Sequence, residues 1–326
     1  MDSKPKPLSA IDKSKEPPPG ASKKKQHWAM NRFSIVSAVF TFALIILGAL
    51  VTNNAAGNSI PDWPLAFSRL IPTGHFSAGL GYELAHRILA AVVTLLVLCL
   101  FVWILVGERR GWIKWVGAVA FVLVLAQAGL GGLRVSSNSS DSPPIAMLHA
   151  FLAQIFLGVI VSLTVFTSPG WVRAGELRSG FPKAPKPLVF FITTAATAAL
   201  VIQVMLGAAY RHRLIGVPSH VAGAIVAGGL ILWGSILVVR LEHDRDREFP
   251  YLTRPARAGV WVLLFQLIAG VLAYFFRGGY APHSVETDRA VATSVVHTGF
   301  SAALLVIEVM LLIRLYRMVP ITESQV

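Results

Sequence analysis

Gly81-Tyr82-Glu83-Leu84-Ala85-His86-Arg87 opens a stretch that then runs from Ile88 to Val106 with no further charge and only Thr94 as a polar interruption. A helix crossing a bilayer needs about 20 predominantly apolar residues, and Gly81–Val106 meets that length. The same kind of window recurs along the chain, at Phe33–Val51, Trp115–Leu133, Ile145–Thr167, Leu188–Tyr210, Ile215–Val239, Ala258–Phe276 and Ala290–Ile313. With lipid around them, backbone amides must be satisfied within the segment, so the windows predict helices. The expected fold class is all-α integral membrane, with eight transmembrane helices as two pseudo-symmetric four-helix bundles.

Composition agrees. Of 326 residues, 55% are hydrophobic and 14% charged, with a mean hydropathy of +0.64. A water-soluble domain carries roughly 25% charged residues. The formal net charge of +13 could suggest nucleic acid, but its placement argues otherwise. Twenty-two of the 29 Lys and Arg fall on one side of the predicted spans, including Lys23-Lys24-Lys25; six fall on the other, and Arg87 lies within a span. That is the positive-inside distribution, which puts both termini in the cytoplasm of a bacterial-type plasma membrane and brings the basic segments to anionic lipid. No nucleic acid is expected. The one cysteine, Cys99, sits mid-span, so an intramolecular disulfide and a thiol-based metal centre are both excluded.

The expected organisation is a disordered basic cytoplasmic tail over 1–32, an N-terminal bundle over 33–167, a cytoplasmic linker over 168–187, a C-terminal bundle over 188–316 and a cytoplasmic tail over 317–326. A duplication is visible within it. Gln127 and Gly131 recur as Gln203 and Gly207 and again as Gln266 and Gly270, while the first span keeps Gly48 but has Leu44 in place of the glutamine. Close helix packing, with glycine at the contact and the amide bonding across it, is the favoured reading. Lining a cofactor cavity is the alternative.

Four histidines stand out from nine. His27, His75, His212, His243 and His283 fall in tails or loops and read as solvated. His86, His149, His220 and His297 occupy the four even spans, one each, four to seven residues inside the outer end of the windows above. That depth is about 6–11 Å. Polar groups at such depth are functional candidates. Paired by repeat, His86 with His149 and His220 with His297, they can hold a haem between two axial imidazoles. A closed zinc site would need further nearby ligands that each half lacks.

The halves differ in one acid. Glu83 lies one helical turn before His86, whereas the matching Val217-Pro218-Ser219-His220 has none. A carboxylate beside a macrocycle can accept a proton or stabilise a cation; an i,i+4 ion pair with Arg87 is the structural alternative. Glu308, near the inner end of the last span, is expected to snorkel to the interface. The outer segment Thr52–Leu80, with Pro61-Asp62-Trp63-Pro64-Leu65, reads either as a lid over the first half or as an interfacial anchor.

Gly48-Ala49-Leu50-Val51-Thr52 running into Pro61-Asp62-Trp63-Pro64-Leu65, then Glu83-x-x-His86-Arg87, then His149, His220 and His297, resembles the haem A synthase family over about Phe33 to Tyr316. The resemblance implies haem b in the C-terminal bundle, with His220 and His297 as axial ligands. It implies the substrate haem O in the N-terminal bundle, with His86 and His149 near its iron and Glu83 as the catalytic acid residue. The implied reaction is oxidation of a ring methyl to formyl, giving haem A for terminal oxidases, with a haem O synthase and oxidase assembly factors as partners. Arg87, Arg134 and Arg211 are candidates to meet haem propionates. The chain departs from many members in lacking a cysteine pair in the first outer loop, where Ile60 and Ala66 flank the motif. A bis-histidine cytochrome that only carries electrons, and a histidine-based metal or proton transporter, are the competing expectations.

Overall fold

The structure, a computed structural model, describes residues 21–64, 77–136, 142–171, 187–243, 250–277 and 287–318. Eight long helices account for nearly all of them: α1 Ala21–Asn53, α2 Ala78–Gly107, α3 Gly111–Ser136, α4 Pro143–Thr167, α5 Pro187–Arg211, α6 Val217–His243, α7 Pro250–Phe276 and α8 Asp288–Met318. Each contains a window long and apolar enough to cross a membrane, and the chain is an integral multi-pass membrane protein. Large apolar side chains face outward along them, with Leu95 60%, Val122 63% and Ile225 71% exposed. Helices apolar on every face suit a lipid surround.

Within the first half α1 packs on α2 and α4, and α3 packs on α2 and α4. In the second, α5 packs on α6 and α8, and α7 packs on α6 and α8. The halves meet through α1 on α8, α4 on α8 and α4 on α5. At that seam Leu157, Val161 and Ala302 are buried, with Phe42 and Ile45 against them.

Several joints follow from backbone chemistry. Ser77 caps α2, its hydroxyl accepting from the Leu80 amide, and Pro143 opens α4, where its missing N–H costs nothing. α1 and α5 end alike. Ala55 (φ 51°) and Arg213 (φ 61°) turn left-handed, and the Ala56 and Leu214 amides reach back to Val51 O and Ala209 O at 2.9 Å each. These are Schellman ends built without glycine. In α7, Pro255 has no amide to offer Tyr251 O; Arg314 Nη1 from α8 donates to that carbonyl instead, at 3.2 Å.

At the other end of the molecule Glu108 is buried and accepts the Arg109 and Arg110 amides (2.8 and 3.0 Å) and Arg110 Nη2 at 2.7 Å. Arg110 Nη1 continues to Phe166 O at 3.2 Å, tying the α2–α3 turn to the end of α4. These bonds to Arg110 and to the backbone outweigh the opposing effect of burial and hold the carboxyl at about 2.

Two expectations need correction. The basic tail is not disordered up to residue 32: α1 starts at Ala21, and Met30 and Asn31 are buried, Asn31 Nδ2 donating to Thr164 O at 2.7 Å. An apolar residue and an amide on the α4-facing side give this turn a partner that composition alone does not reveal. Residues 1–20 lie outside the described residues. Glu308 does not snorkel either, being 1% exposed inside the second half. It lies on the inward face of α8, three turns from His297, too far from the helix end to reach water.

Candidate functional site

Each of the four histidines is half-buried and packs against a glycine of the helix preceding its own. A β-carbon on Gly48 would lie 3.2 Å from His86 Nε2, one on Gly131 3.8 Å from His149 Cε1, one on Gly207 3.2 Å from His220 Cε1, and one on Gly270 2.8 Å from His297 Cε1. The repeated glycines are therefore the beds of the imidazoles. This sharpens the helix-packing reading: the close approach is of ring to backbone. It also sets the level of the rings better than counting does, since His220 is three residues into α6 and His297 nine into α8.

The repeated glutamines hold the same residues. Gln127 Nε2 donates to His149 O at 3.1 Å. Gln203 Nε2 donates to His220 O at 2.9 Å and stands 3.0 Å from His220 Nδ1. Gln266 offers its backbone carbonyl to His297 Nδ1 at 3.1 Å, and its amide stands 3.4 Å from Nε2. A carbonyl only accepts, so His297 Nδ1 carries a proton and Nε2 keeps its lone pair. His86, opposite Leu44, has no such clamp.

In the second half the His220 and His297 rings stand 6.2 Å apart between centroids, at 83° to one another, and Tyr210 stacks on His220 at 5.7 Å. Two imidazoles binding one metal ion at about 2 Å each place their centroids roughly 6 Å apart. The spacing therefore suits a single metal with two axial ligands. Among the described residues no group of three or more His, Cys, Asp and Glu side chains gathers to hold a metal ion, so the donor set fits a macrocycle that supplies its own equatorial ligands better than a zinc centre.

The first half is built differently. Glu83 is 4% exposed; its Oε2 accepts the Ile60 amide at 2.9 Å, and its Oε1 accepts Arg87 Nη2 at 2.6 Å and Nε at 3.1 Å. Arg87 also donates to the carbonyls of Ile60 and Asp62. Ile60 is fully buried, and Gly132 carries the Trp63 ring, 2.8 Å from where a β-carbon would stand. The 54–64 segment is thus pinned across the outer end of α2 and α3, and the rest of the expected lid, 65–76, lies outside the described residues. Of the two readings of Glu83, the ion pair with Arg87 is the one the structure forms.

Arg134 is within electrostatic reach of Glu83, His86, His149 and His212 and packs beside Gly57. His149 Nδ1 is buried without a hydrogen-bond partner. Of the other proposed propionate contacts, Arg87 belongs to the Glu83 group, and Arg211 Nη2 donates to Thr52 O at 3.1 Å. Arg277 joins Arg211 at the end of α1, its Nη2 2.7 Å from Asn53 Oδ1; cations there complement the helix dipole.

His212 was expected in solvent. Instead it is half-buried, and burial first, then the Arg134 and Arg211 charges, lower its pKa to about 4. Its position two residues after Tyr210 gave no sign of this, because the arginine that faces it comes from the other half. His75 and His283 lie outside the described residues.

A membrane-embedded helical protein with four imidazoles set on glycines at one end, two of them 6.2 Å apart between centroids, is the class that fold and site define. The COX15-CtaA family, described as cytochrome oxidase assembly protein, matches residues 31–221, and the chain belongs to that family. Among curated relatives, haem A synthase of Exiguobacterium sp. is 29% identical over 257 residues, covering 74% of this chain and 81% of that protein. Haem A synthase of Geobacillus kaustophilus is 30% identical over 155 residues, 46% of this chain and 47% of its own. That of Shouchella clausii is 27% identical over 143 residues, 42% and 46%. The chain spans about half the length of the last two.

Proposed function

We propose that this protein is a haem A synthase, an oxidoreductase that converts a ring methyl of haem O to formyl and so provides haem A for terminal oxidases. The observation that carries the reading is the fourfold register of histidine on glycine, present in both halves, with a carboxylate one turn before the histidine in the first half alone. His220 and His297 are the proposed axial ligands of haem b within 188–316, and His86 and His149 the residues facing the iron of haem O within 33–167. A bound haem supplies one-electron chemistry at its iron.

The protein's own residues then bind, orient and exclude water. Gln203 and Gln266 fix the imidazoles of the second half, as outer-shell partners of metal ligands do. Ile60 and Trp63 close the outer side of the first half, and Glu83 anchors that closure while placing a carboxylate one turn from His86. Arg134, among Glu83, His86 and His149, is the best placed of the three arginines to meet a propionate. With water supplying the oxygen atom and an external acceptor taking the electrons, oxidation of methyl to formyl releases protons, and Glu83 is the proposed acid residue of that site. The charge bias supports cytoplasmic termini, with the histidine end facing outward. A haem O synthase and oxidase assembly factors are the proposed partners.

The test is expression beside a haem O synthase, with extraction of the pigments. Haem A should accumulate with the wild type. Glu83→Ala should stop conversion and leave the haem b band, whereas His220→Ala should remove that band. Arg87→Ala separates the two parts of Glu83's role: it removes the bonds to the Ile60 and Asp62 carbonyls but keeps the carboxylate, so conversion should fall less than in Glu83→Ala. Continued haem A production by Glu83→Ala would end the assignment of that residue.

A further inference from the structure

The second half contains a polar layer between two apolar clusters. On α5 Thr193 lies between Phe190 of one cluster and Ala196 of the other, and on α6 Ser235 lies between Val238 and Ile231. On α7 Gly259 follows Ala256, and on α8 Glu308 lies between Leu311 and Leu305. Thr193, Ser235 and Glu308 are 1%, 2% and 1% exposed. Thr193 Oγ1, Ser235 Oγ and Glu308 Oε1 are all buried without a hydrogen-bond partner. Gly259 borders the carboxyl, a β-carbon there standing 3.4 Å from Glu308 Oε1.

A buried polar group without a partner costs free energy, and an ionised one costs more. Three such atoms in one layer are what a site for internal water looks like from the protein side. The first half keeps only the α5 position: fourteen residues before Gly207 stands Thr193, and fourteen before Gly48 stands buried Ser34, whose hydroxyl donates to Met30 O. Glu308 follows His297 by eleven residues, and eleven after His149 stands Ile160, fully buried; Ser235 follows His220 by fifteen, and fifteen after His86 stands Phe101. The acid and the α6 hydroxyl are therefore not by-products of the duplicated packing. Eleven residues are three helical turns, so Glu308 shares the face of His297 about 16 Å along the axis.

No described cation neutralises it within the bundle. On α8 the next charges are Arg314, bonded to Tyr251 O, and Arg317, set over the Trp171 ring. On α7 Arg254 and Arg257 are exposed, as is Arg32 on α1; α5 carries only Tyr210 and Arg211 and α4 only His149, all at the histidine end, and Arg240 on α6 lies beyond Val238 toward the opposite end.

We infer that Glu308, Ser235 and Thr193 form an internal site for water and one exchangeable proton, whose occupancy follows the charge of the redox group between His220 and His297. The second clause rests on the function proposed above. When an electron from substrate oxidation arrives at that group, the carboxylate takes a proton from water at the end of the bundle away from the histidines, forming a carboxyl O–H. When the electron leaves, that bond breaks and the proton returns.

The experiment is infrared difference spectroscopy of the purified full-length protein in H2O and D2O, with Glu308→Gln and Ser235→Ala. A protonated-carboxyl carbonyl band should appear, shift in D2O, grow on reduction, vanish in Glu308→Gln and move in Ser235→Ala. The midpoint potential of the second-half haem should fall as pH rises in the wild type and flatten in Glu308→Gln. No Glu308-dependent band, or one indifferent to D2O and to Ser235→Ala, overturns the site. A band that ignores reduction, with equal pH slopes in both proteins, overturns the coupling. Should the protein bind no haem, the function proposed above fails instead, and pH titration of the same band still decides the proton site.

Discussion

Gly270 and His297 approach so closely that a β-carbon on the glycine would lie 2.8 Å from His297 Cε1. Real β-carbons essentially never come that near, so the imidazole holds its place because position 270 has no side chain. The same relation, at longer range, recurs at three other helix pairs and grades the first prediction.

Gly270→Ala should displace the ring and abolish second-half haem absorbance, and Gly207→Ala, at 3.2 Å, should weaken it. Gly131→Ala, at 3.8 Å, meets ordinary contact and should leave pigment content unchanged. Haem per protein, measured optically beside a folding check, decides; equal loss at positions 131 and 270 contradicts the packing account.

Replacing Gln203 with Leu removes the amide that holds both the ring and the backbone of His220. Loss of an outer-shell partner typically weakens metal affinity by about 10–100-fold. Haem retention during dilution should fall accordingly, with the helices still folded by circular dichroism.

Arg314 stands in for the amide that Pro255 lacks. Arg314→Gln should cost about 1 kcal/mol by leaving Tyr251 O short of a donor. In a Pro255→Ala background, where the main chain can supply the donor, the same change should cost much less. Additive losses in the double-mutant cycle would refute the substitution of one donor for the other.

Two acid-sensitive groups have separate windows. Glu108, ordinarily near 4.5 and held at about 2, contributes stability that is complete above pH 4.5 and fades as pH falls toward 2. His212, lowered from 6.5 to about 4, favours the native state fully above pH 6.5, with the benefit lost as pH falls from 6.5 toward 4. Thermal midpoints in detergent should drop in both windows. His212→Gln should flatten only the upper one and Glu108→Gln only the lower.

Trp63 rests on Gly132, where a β-carbon would stand 2.8 Å from the indole. Gly132→Val should lift the 54–64 segment, exposing it to protease faster than the wild type. Haem A yield should fall while the haem b band persists.

Much of the architecture was written in local pattern. Eight apolar windows became eight helices because a lipid-facing segment has no other way to satisfy its amides, and window edges moved outward wherever a cap or a buried side chain, such as Met30, extended a turn. Glu83 and His86 were legible as a pair because they share one helix face. Glu108's network was not, because it closes through a turn, on the Arg110 side chain and two turn amides, and continues to Phe166 O of another helix.

The sequence by itself determined the membrane spans, the placement of one histidine in every even helix and the carboxylate of the first half, since hydropathy and helical periodicity are properties of short segments. Only the tertiary structure decided that each histidine lies on a glycine one helix earlier, that His212 is drawn beside Arg134 of the other half, and that Glu308 faces Ser235's layer rather than the interface. Those outcomes depend on how helices rotate and dock against one another, and that orientation is set by contacts between residues far apart in the chain.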